Sequence, residues 1–270
     1  MKNFCMKILQ KIRSLDANRG YTCDFCGIEI FDYPNQRVCK ECEHKFQKPS
    51  KVTCEKCGRM ACAQGVCLTC KNELPKFTRG VSPFCYLDYA SAIVNRLKNG
   101  KRRLGLYLGE KMVEEILCAK SPIPMEKSEE ILLVPVPLTK EKEQARGYNQ
   151  AQVLAEAMER RLKTFGYHVQ TDVEILQKVK DTSIQKHLTY KQRKENVSGA
   201  YHVHKRSVCK GKTILLVDDI MTTGATGNEC AERLFGAGAK AVYFVVAASL
   251  PEEKQTGHQE IALDDGGYGL

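Results

Sequence analysis

Two acidic residues, Asp218 and Asp219, stand between an apolar run and a small hydroxyl-rich loop. Residues 214–226 read Ile-Leu-Leu-Val-Asp-Asp-Ile-Met-Thr-Thr-Gly-Ala-Thr. Four consecutive apolar residues predict a buried strand, and ligands of open α/β sheets bind beyond the C-terminal ends of their strands. A carboxylate pair there can accept hydrogen bonds from both hydroxyls of a sugar diol. Thr222, Thr223, Gly224, Ala225 and Thr226 follow with hydroxyls, backbone N–H groups and a helix start, a combination suited to a phosphate. A diol site beside a phosphate site describes a ribose 5-phosphate. Taken piece by piece, the string is also an ordinary strand, an Asp-Asp turn and a Thr cap.

A second chemistry lies near the N-terminus. The chain has 14 cysteines, and eight of them form four Cys-x-x-Cys pairs between residues 23 and 70. Cys23, Cys26, Cys39 and Cys42 make one quartet, and Cys54, Cys57, Cys67 and Cys70 make another. Two such knuckles brought together give a tetrahedral four-sulfur site, which suits structural Zn2+. Glycines 27 and 58 follow the second cysteine of each quartet. Cys62 lies inside the second quartet as a competing ligand, and His44 stands next to the first. A single Cys-x-x-Cys can do redox chemistry, but four in two repeats point to metal, and a module of this size has too little apolar material to fold without such staples. With no apolar signal core at the N-terminus, the pattern fits a reducing cytosol rather than a disulfide framework.

The elements that must position the acidic pair follow a helix–strand alternation. Residues 90–97, 104–118, 151–165 and 226–235 carry apolar residues at helical spacing, while 131–136, 173–176, 213–217 and 241–248 read as strands. Strands separated by helices imply an α/β fold, a mostly parallel sheet with flanking helices. Residues 138–150 read as a charged loop at the same rim. Its Arg146 is placed to hold phosphate oxygens bidentately, with Gly147 making the turn and Asn149 capping the next helix. Residues 181–199 are polar and basic and read as a flap over the site. His187 lies in it, without a case for a general base.

At 270 residues the chain has room for about two domains. No apolar run is long enough to span a bilayer. The formal charge of +10 points to an anionic partner, although two zinc-bound quartets would remove about four units of it. Lys98, Lys101, Arg102 and Arg103 cluster and offer a nucleic-acid surface, with Tyr86, Tyr89 and Tyr107 close by in sequence. A solvated helix start is the plainer reading of the same residues.

The 214–226 string resembles the phosphoribosyl-diphosphate (PRPP) signature of type I phosphoribosyltransferases. The resemblance implies that Asp218 and Asp219 hold the ribose hydroxyls, that residues 222–226 hold the 5-phosphate, and that Mg2+ accompanies PRPP. Taken together, the double zinc ribbon, Val134-Pro-Val-Pro, Arg146-Gly-Tyr-Asn-Gln, the 185–199 segment and the PRPP loop resemble the ComF family of bacterial competence-associated proteins. Members often carry Tyr-x-Gly before Lys-x-x-Gly. Here the first stretch is Tyr86-Leu87-Asp88, without the glycine, and the second is Lys98-Asn-Gly-Lys101.

That resemblance runs from about Cys23 to Ala248 and, with the Pro- and Gly-bearing stretch at 73–84 and the polar end, divides the chain into a leader over residues 1–20, a double zinc ribbon over 21–72, a linker over 73–84, a type I phosphoribosyltransferase-like domain over 85–250 and a polar tail over 251–270. It implies a role in natural transformation, with single-stranded DNA and a DNA-uptake helicase or channel protein as partners. The expected location is the cytoplasm, at the inner face of the membrane through those partners. Nucleobase salvage is the alternative activity, and a non-enzymatic adaptor that uses the PRPP site as a sensor is the alternative role. No purine or pyrimidine acceptor site is legible.

Overall fold

The computed structural model describes residues 22–31, 36–46, 52–118, 121, 123–180 and 197–252. The leader over 1–20, the flap residues 181–196 with His187, and the tail from 253 onward lie outside them.

The centre is a sheet with strand order β1-β8-β7-β3-β4. Its strands are β1 (Arg79–Val81), β2 (Phe84–Cys85), β3 (Glu130–Pro135), β4 (His168–Thr171), β7 (Thr213–Met221) and β8 (Ala241–Ser249). Every pairing in it is parallel, and β2 extends the edge begun by β1 by pairing with β8. A hairpin of β5 (Leu176–Lys178) and β6 (Tyr201–Val203) stands apart. Alternation along each central strand feeds two cores, as a sheet covered on both faces requires. Ile131, Leu133, Leu215, Val217 and Val245 face one core. Leu132, Val134, Ile214, Leu216, Phe244 and Val246 face the other.

Helix α3 (Asp88–Lys98), helix α4 (Leu104–Leu117) and helix α6 (Gln150–Thr164) cover the first face through Ile93, Leu97, Leu108, Met112, Leu154 and Met158. Helix α8 (Ala225–Gly236) covers the second with Cys230, Ala231 and Leu234, next to the short α7 (Arg206–Cys209). The chain leaves β3 toward β4 on one side, and β7 with β8 lie on the other. The strand order therefore reverses between β3 and β7, which is where open α/β sheets bind ligands.

The cysteine-rich segments, which carry the short helices α1 (Lys40–Lys45) and α2 (Leu68–Asn72), straddle this body. Cys23, Ile30, Val38 and Phe46 join the first core, whereas Cys54, Cys57, Cys67 and Cys70 join the second. Phe46 meets Phe84 at 5.6 Å and Tyr107 at 5.7 Å between ring centroids. The stretch expected to be a linker carries β1 and the start of β2, and Gly80 N–H donates to the Lys56 carbonyl at 2.8 Å. A three-residue strand has no readable alternation, and it is the length of β8 that recruits it.

Other expectations shift in detail. Residues 140–146 are not loop but helix α5 (Lys140–Arg146), capped by the Thr139 hydroxyl and ended by Gly147 at φ +78°. The strand expected at 173–176 is displaced to β5, and β4 precedes it. β7 runs four residues past Val217, because β8 supplies partners as far as Ser249. Residues 251–252, expected as the start of a tail, dock on the second ribbon: Glu252 N–H donates to the Met60 carbonyl at 2.8 Å.

Asp88, which stands where a Tyr-x-Gly stretch would have its glycine, takes φ +37° and is the one non-glycine residue at positive φ among the described residues. Asp tolerates that region better than most side chains. Asp88→Val is expected to cost about 1–3 kcal/mol and Asp88→Gly to be tolerated, as urea denaturation can measure. Equal stability of the two variants would show that the turn imposes nothing.

Candidate ribose-phosphate site and paired cysteine quartets

β3 pairs with β7 only as far as Pro135–Val217, and Val136 N–H closes the contact on the Val217 carbonyl at 2.8 Å. Asp218 is therefore the first residue of β7 beyond its neighbour, at the mouth of the crevice. Asp219 is buried at 5 % exposure, and its N–H donates to Asp218 Oδ1 at 2.8 Å. Strand alternation sends Asp219 toward the face carrying Lys98, whose Nζ lies 3.1 Å from Asp219 Oδ2. Asp218 turns toward Tyr201 and Cys230. Burial, then the charge of Asp219, holds the Asp218 carboxyl well above the ordinary range. This is a carboxylate pair short of counter-charge, relieved by hydroxyl donors or a cation.

The loop after β7 is built as its residue types require. Gly224 takes φ +83° and caps α8, a conformation open to glycine. Thr223 Oγ1 accepts from Ala225 N–H at 3.3 Å, and the Thr226 side chain bonds Tyr201. The first-turn N–H groups of α8 have no partners within the helix and carry its positive dipole end. The five residues expected to hold a phosphate thus form one turn next to the acidic pair.

Arg146 is exposed at the end of α5, and its Nη1 donates to Gln150 Oε1 at 2.8 Å. Asn149 accepts from Ala151 N–H at 2.9 Å and donates to the Val136 carbonyl at 3.0 Å. That pair of bonds folds residues 137–149 back over the end of β3. Tyr148 donates to the Leu97 carbonyl, and the Arg102 guanidinium lies 5.8 Å from its ring centroid. The loop bearing Arg146 and the loop bearing Lys98 are thereby joined.

The basic cluster 98–103 is not one free surface. Lys98 pairs with Asp219, Arg102 with Glu156 at 3.6 Å, and Arg103 with Asp24 at 3.3 Å, while Lys101 is exposed. Tyr107 is buried, Tyr86 donates to Asn95 at 3.4 Å, and Tyr89 lies under Lys45.

Each cysteine quartet holds its four sulfurs within 4.8 Å of one another. Tetrahedral Zn–S bonds of about 2.3 Å require sulfurs about 3.8 Å apart. Cys26–Cys39 stands at 3.7 Å and Cys57–Cys67 at 3.8 Å, so both quartets fit Zn2+. Backbone N–H groups of Cys39 and Cys67 donate to the sulfurs of Cys23 and Cys54 at 3.3 Å, contacts that stabilise thiolates. Hydrogen bonds from Cys57, then Cys67 and Cys70, drive the Cys54 thiol below its ordinary range. Neither His44 nor Cys62 belongs to a quartet; Cys62 N–H instead donates to Glu252 Oε2 at 2.8 Å.

Three participants were not found from sequence: Lys98 as a partner of Asp219, Tyr201 beside Asp218, and Arg59. Arg59 follows a knuckle directly, a local hint of a cation beside thiolates. The partners of the other two are more than a hundred positions away or on the far hairpin, and no spacing announces them.

A phosphoribosyl transferase domain family model matches residues 149–261. The chain is 28% identical over 207 residues to the DNA utilization protein YhgH of Escherichia coli K12, covering 76% of this chain and 87% of that protein. It is 28% identical over 221 residues to competence protein ComFC of Bacillus subtilis 168, covering 77% and 82%. The chain is thus similar to ComF proteins over about three quarters of its length. Among solved structures, the hypoxanthine-guanine phosphoribosyl transferase of L. donovani shares 13% identity over 56% of this ComF-like chain and 81% of that protein, at a TM-score of 0.35. The fold rests on the parallel sheet and its switch point. Among the described residues, no helix is long and apolar enough to cross a membrane.

Proposed function

We propose that this ComF-like chain binds PRPP with Mg2+ at the β7 rim and acts in natural transformation on incoming single-stranded DNA. The observation that carries the reading is the junction itself. A carboxylate pair lies at the sheet's switch point, followed by a positive-φ glycine and the start of a 12-residue helix.

In this reading Asp218 and Asp219 accept the ribose hydroxyls, and residues 222–226 take the 5-phosphate. Arg146 reaches the diphosphate, and Lys98 is released from Asp219 toward the same anion. Bound Mg2+ would neutralise diphosphate charge. Asp218 and Asp219 would also favour positive charge at the anomeric carbon, the electrostatic requirement for transfer of the ribose phosphate.

The adaptor reading has one observation in its favour. Ile28 and Phe31 of the first ribbon are 53 % and 93 % exposed, and apolar residues of that kind suit a protein partner such as a helicase or channel component. Single-stranded DNA would draw on Lys101 and on any rim cation not neutralised by ligand.

Phosphorus NMR of PRPP with Mg2+ and zinc-loaded protein tests the site. The wild type is expected to shift and broaden the PRPP resonances, and Asp218→Asn/Asp219→Asn to leave them unchanged. Diphosphate accumulating with time identifies an enzyme. Identical spectra with both proteins contradict the PRPP reading and leave the adaptor role.

A further inference from the structure

We propose that Arg59 is a positioning residue that ties the second cysteine quartet to the phosphate loop, so that metal in that quartet sets the loop's readiness for ligand. The ligand half of this inference rests on the PRPP reading; the coupling itself does not.

Arg59 is 6 % exposed. Its Nε donates to Cys57 Sγ at 3.2 Å, and its Nη2 donates to the Thr222 carbonyl at 2.9 Å. One planar group thus spans a metal ligand and the first residue of the loop. A buried guanidinium stays in place only where anionic or carbonyl acceptors face its fork. A metal-filled quartet supplies fixed thiolates for one side of it. The peptide is planar and trans, so holding the Thr222 carbonyl on the ribbon side turns the Thr223 N–H away from the ribbon. The guanidinium therefore sets the orientation of the loop's first amide.

The mounting is stiff. Gly58 and Gly80 are in backbone contact, and Lys76 N–H donates to Asn228 Oδ1 of α8 at 2.9 Å. Cys57, Cys70, Arg59, Thr223 and Gly224 line one narrow cleft.

The repeat supplies an internal control. Cys54 N–H donates to the Arg59 carbonyl at 2.8 Å, and Cys23 N–H donates to the Ile28 carbonyl at 2.7 Å. Ile28 is therefore the equivalent of Arg59 in the first ribbon. It is apolar and 53 % exposed. The two ribbons share a knuckle, but among the described residues only the second carries an arm to the site.

The test uses full-length, zinc-loaded protein and hydrogen exchange of the peptide spanning residues 219–230, with zinc content measured in parallel. Arg59→Met keeps the stem and removes both donors. It is expected to retain two zinc ions, to speed exchange at the loop about tenfold, and to weaken Mg2+–PRPP binding about tenfold, the effect of losing one hydrogen bond from a charged group. Ile28→Met is expected to change neither. Zinc retained with unchanged loop exchange overturns the proposal.

Graded chelation of the wild type needs no variant, and so decides the case if Arg59→Met loses zinc or fails to fold. Loop exchange must accelerate as zinc leaves while residues 131–135 of β3 stay slow; no acceleration, or acceleration only together with β3, also overturns it. If the wild type binds no PRPP, the functional reading fails, and loop exchange still decides the coupling.

Discussion

Gly58→Ala is expected to lower stability by about 3 kcal/mol or more, the combined cost of a strained backbone and an overpacked contact. Gly58 has φ +73°, and a Cβ there would lie 2.2 Å from the Gly80 carbonyl oxygen. The neighbour cannot yield, because that oxygen belongs to β1, whose Gly80 pairs with Phe244 of β8. A Cβ on Gly80 would meet the Cys57 carbonyl oxygen at 2.4 Å, so the two backbones exclude side chains from both sides. The second ribbon is pressed onto the sheet edge rather than tethered to it. In a chain of this size the melting temperature should fall by roughly 6–12 °C. Gly27→Ala, at φ +81° with open space around it, should cost only the backbone strain of about 1 kcal/mol. Equal losses at the two positions would show that the Gly58–Gly80 contact contributes nothing.

Lys98→Met is expected to destabilise the ligand-free protein by about 2 kcal/mol, less than the cost of breaking a fully buried pair because the lysine keeps some solvent. Asp219 is 7 % exposed at its side chain and Lys98 is 23 % exposed. Removing the cation takes from the buried Asp219 carboxylate its ion-pair partner while the acidic Asp218 stays next to it in the chain. In an Asp219→Asn background the same Lys98→Met change should cost less than about 0.5 kcal/mol, the difference being the coupling of the pair. Urea denaturation of the four proteins gives that coupling, and a value near zero would contradict it. The same pair explains why the 98–103 cluster is a poor guide to a nucleic-acid surface: most of its charge is committed to Asp219, Glu156 and Asp24.

The quartets and the 214–226 string were legible because each is local. Cysteine spacing fixes which sulfurs meet, and an apolar run followed by Asp-Asp and a threonine-glycine loop fixes a strand, a rim and a helix start. Asn149 as a cap and Gly147 as a turn were readable for the same reason. What failed depends on partners distant in the chain. β7 continues to Met221 and β1 forms from Arg-Gly-Val only because β8 is long enough to pair with both. Residues 140–146, rich in Lys and Glu, have good helix propensity, but no buried side chain marks them as a helix. Arg59 meets Thr222 across 163 positions, and Lys98 meets Asp219 only once α3 lies over the sheet. Asp88 shows the converse: a residue at positive φ where the sequence has no glycine to announce it.

The most direct test of the ribose-phosphate site is thermal unfolding of the wild type and Asp218→Asn, each with and without PRPP and Mg2+, across a pH series. The folded state binds the Asp218 proton more tightly than the unfolded chain does. This group's stability is therefore complete below the unfolded pKa and declines as pH rises through the higher folded one. Asn cannot ionise, so Asp218→Asn should melt higher than the wild type at neutral pH without ligand, and the gap should close toward acid. PRPP with Mg2+ should raise the wild-type midpoint and leave that of Asp218→Asn where it is. A ligand-induced rise of equal size in both proteins, or in neither, would contradict the assignment of Asp218 to the ribose.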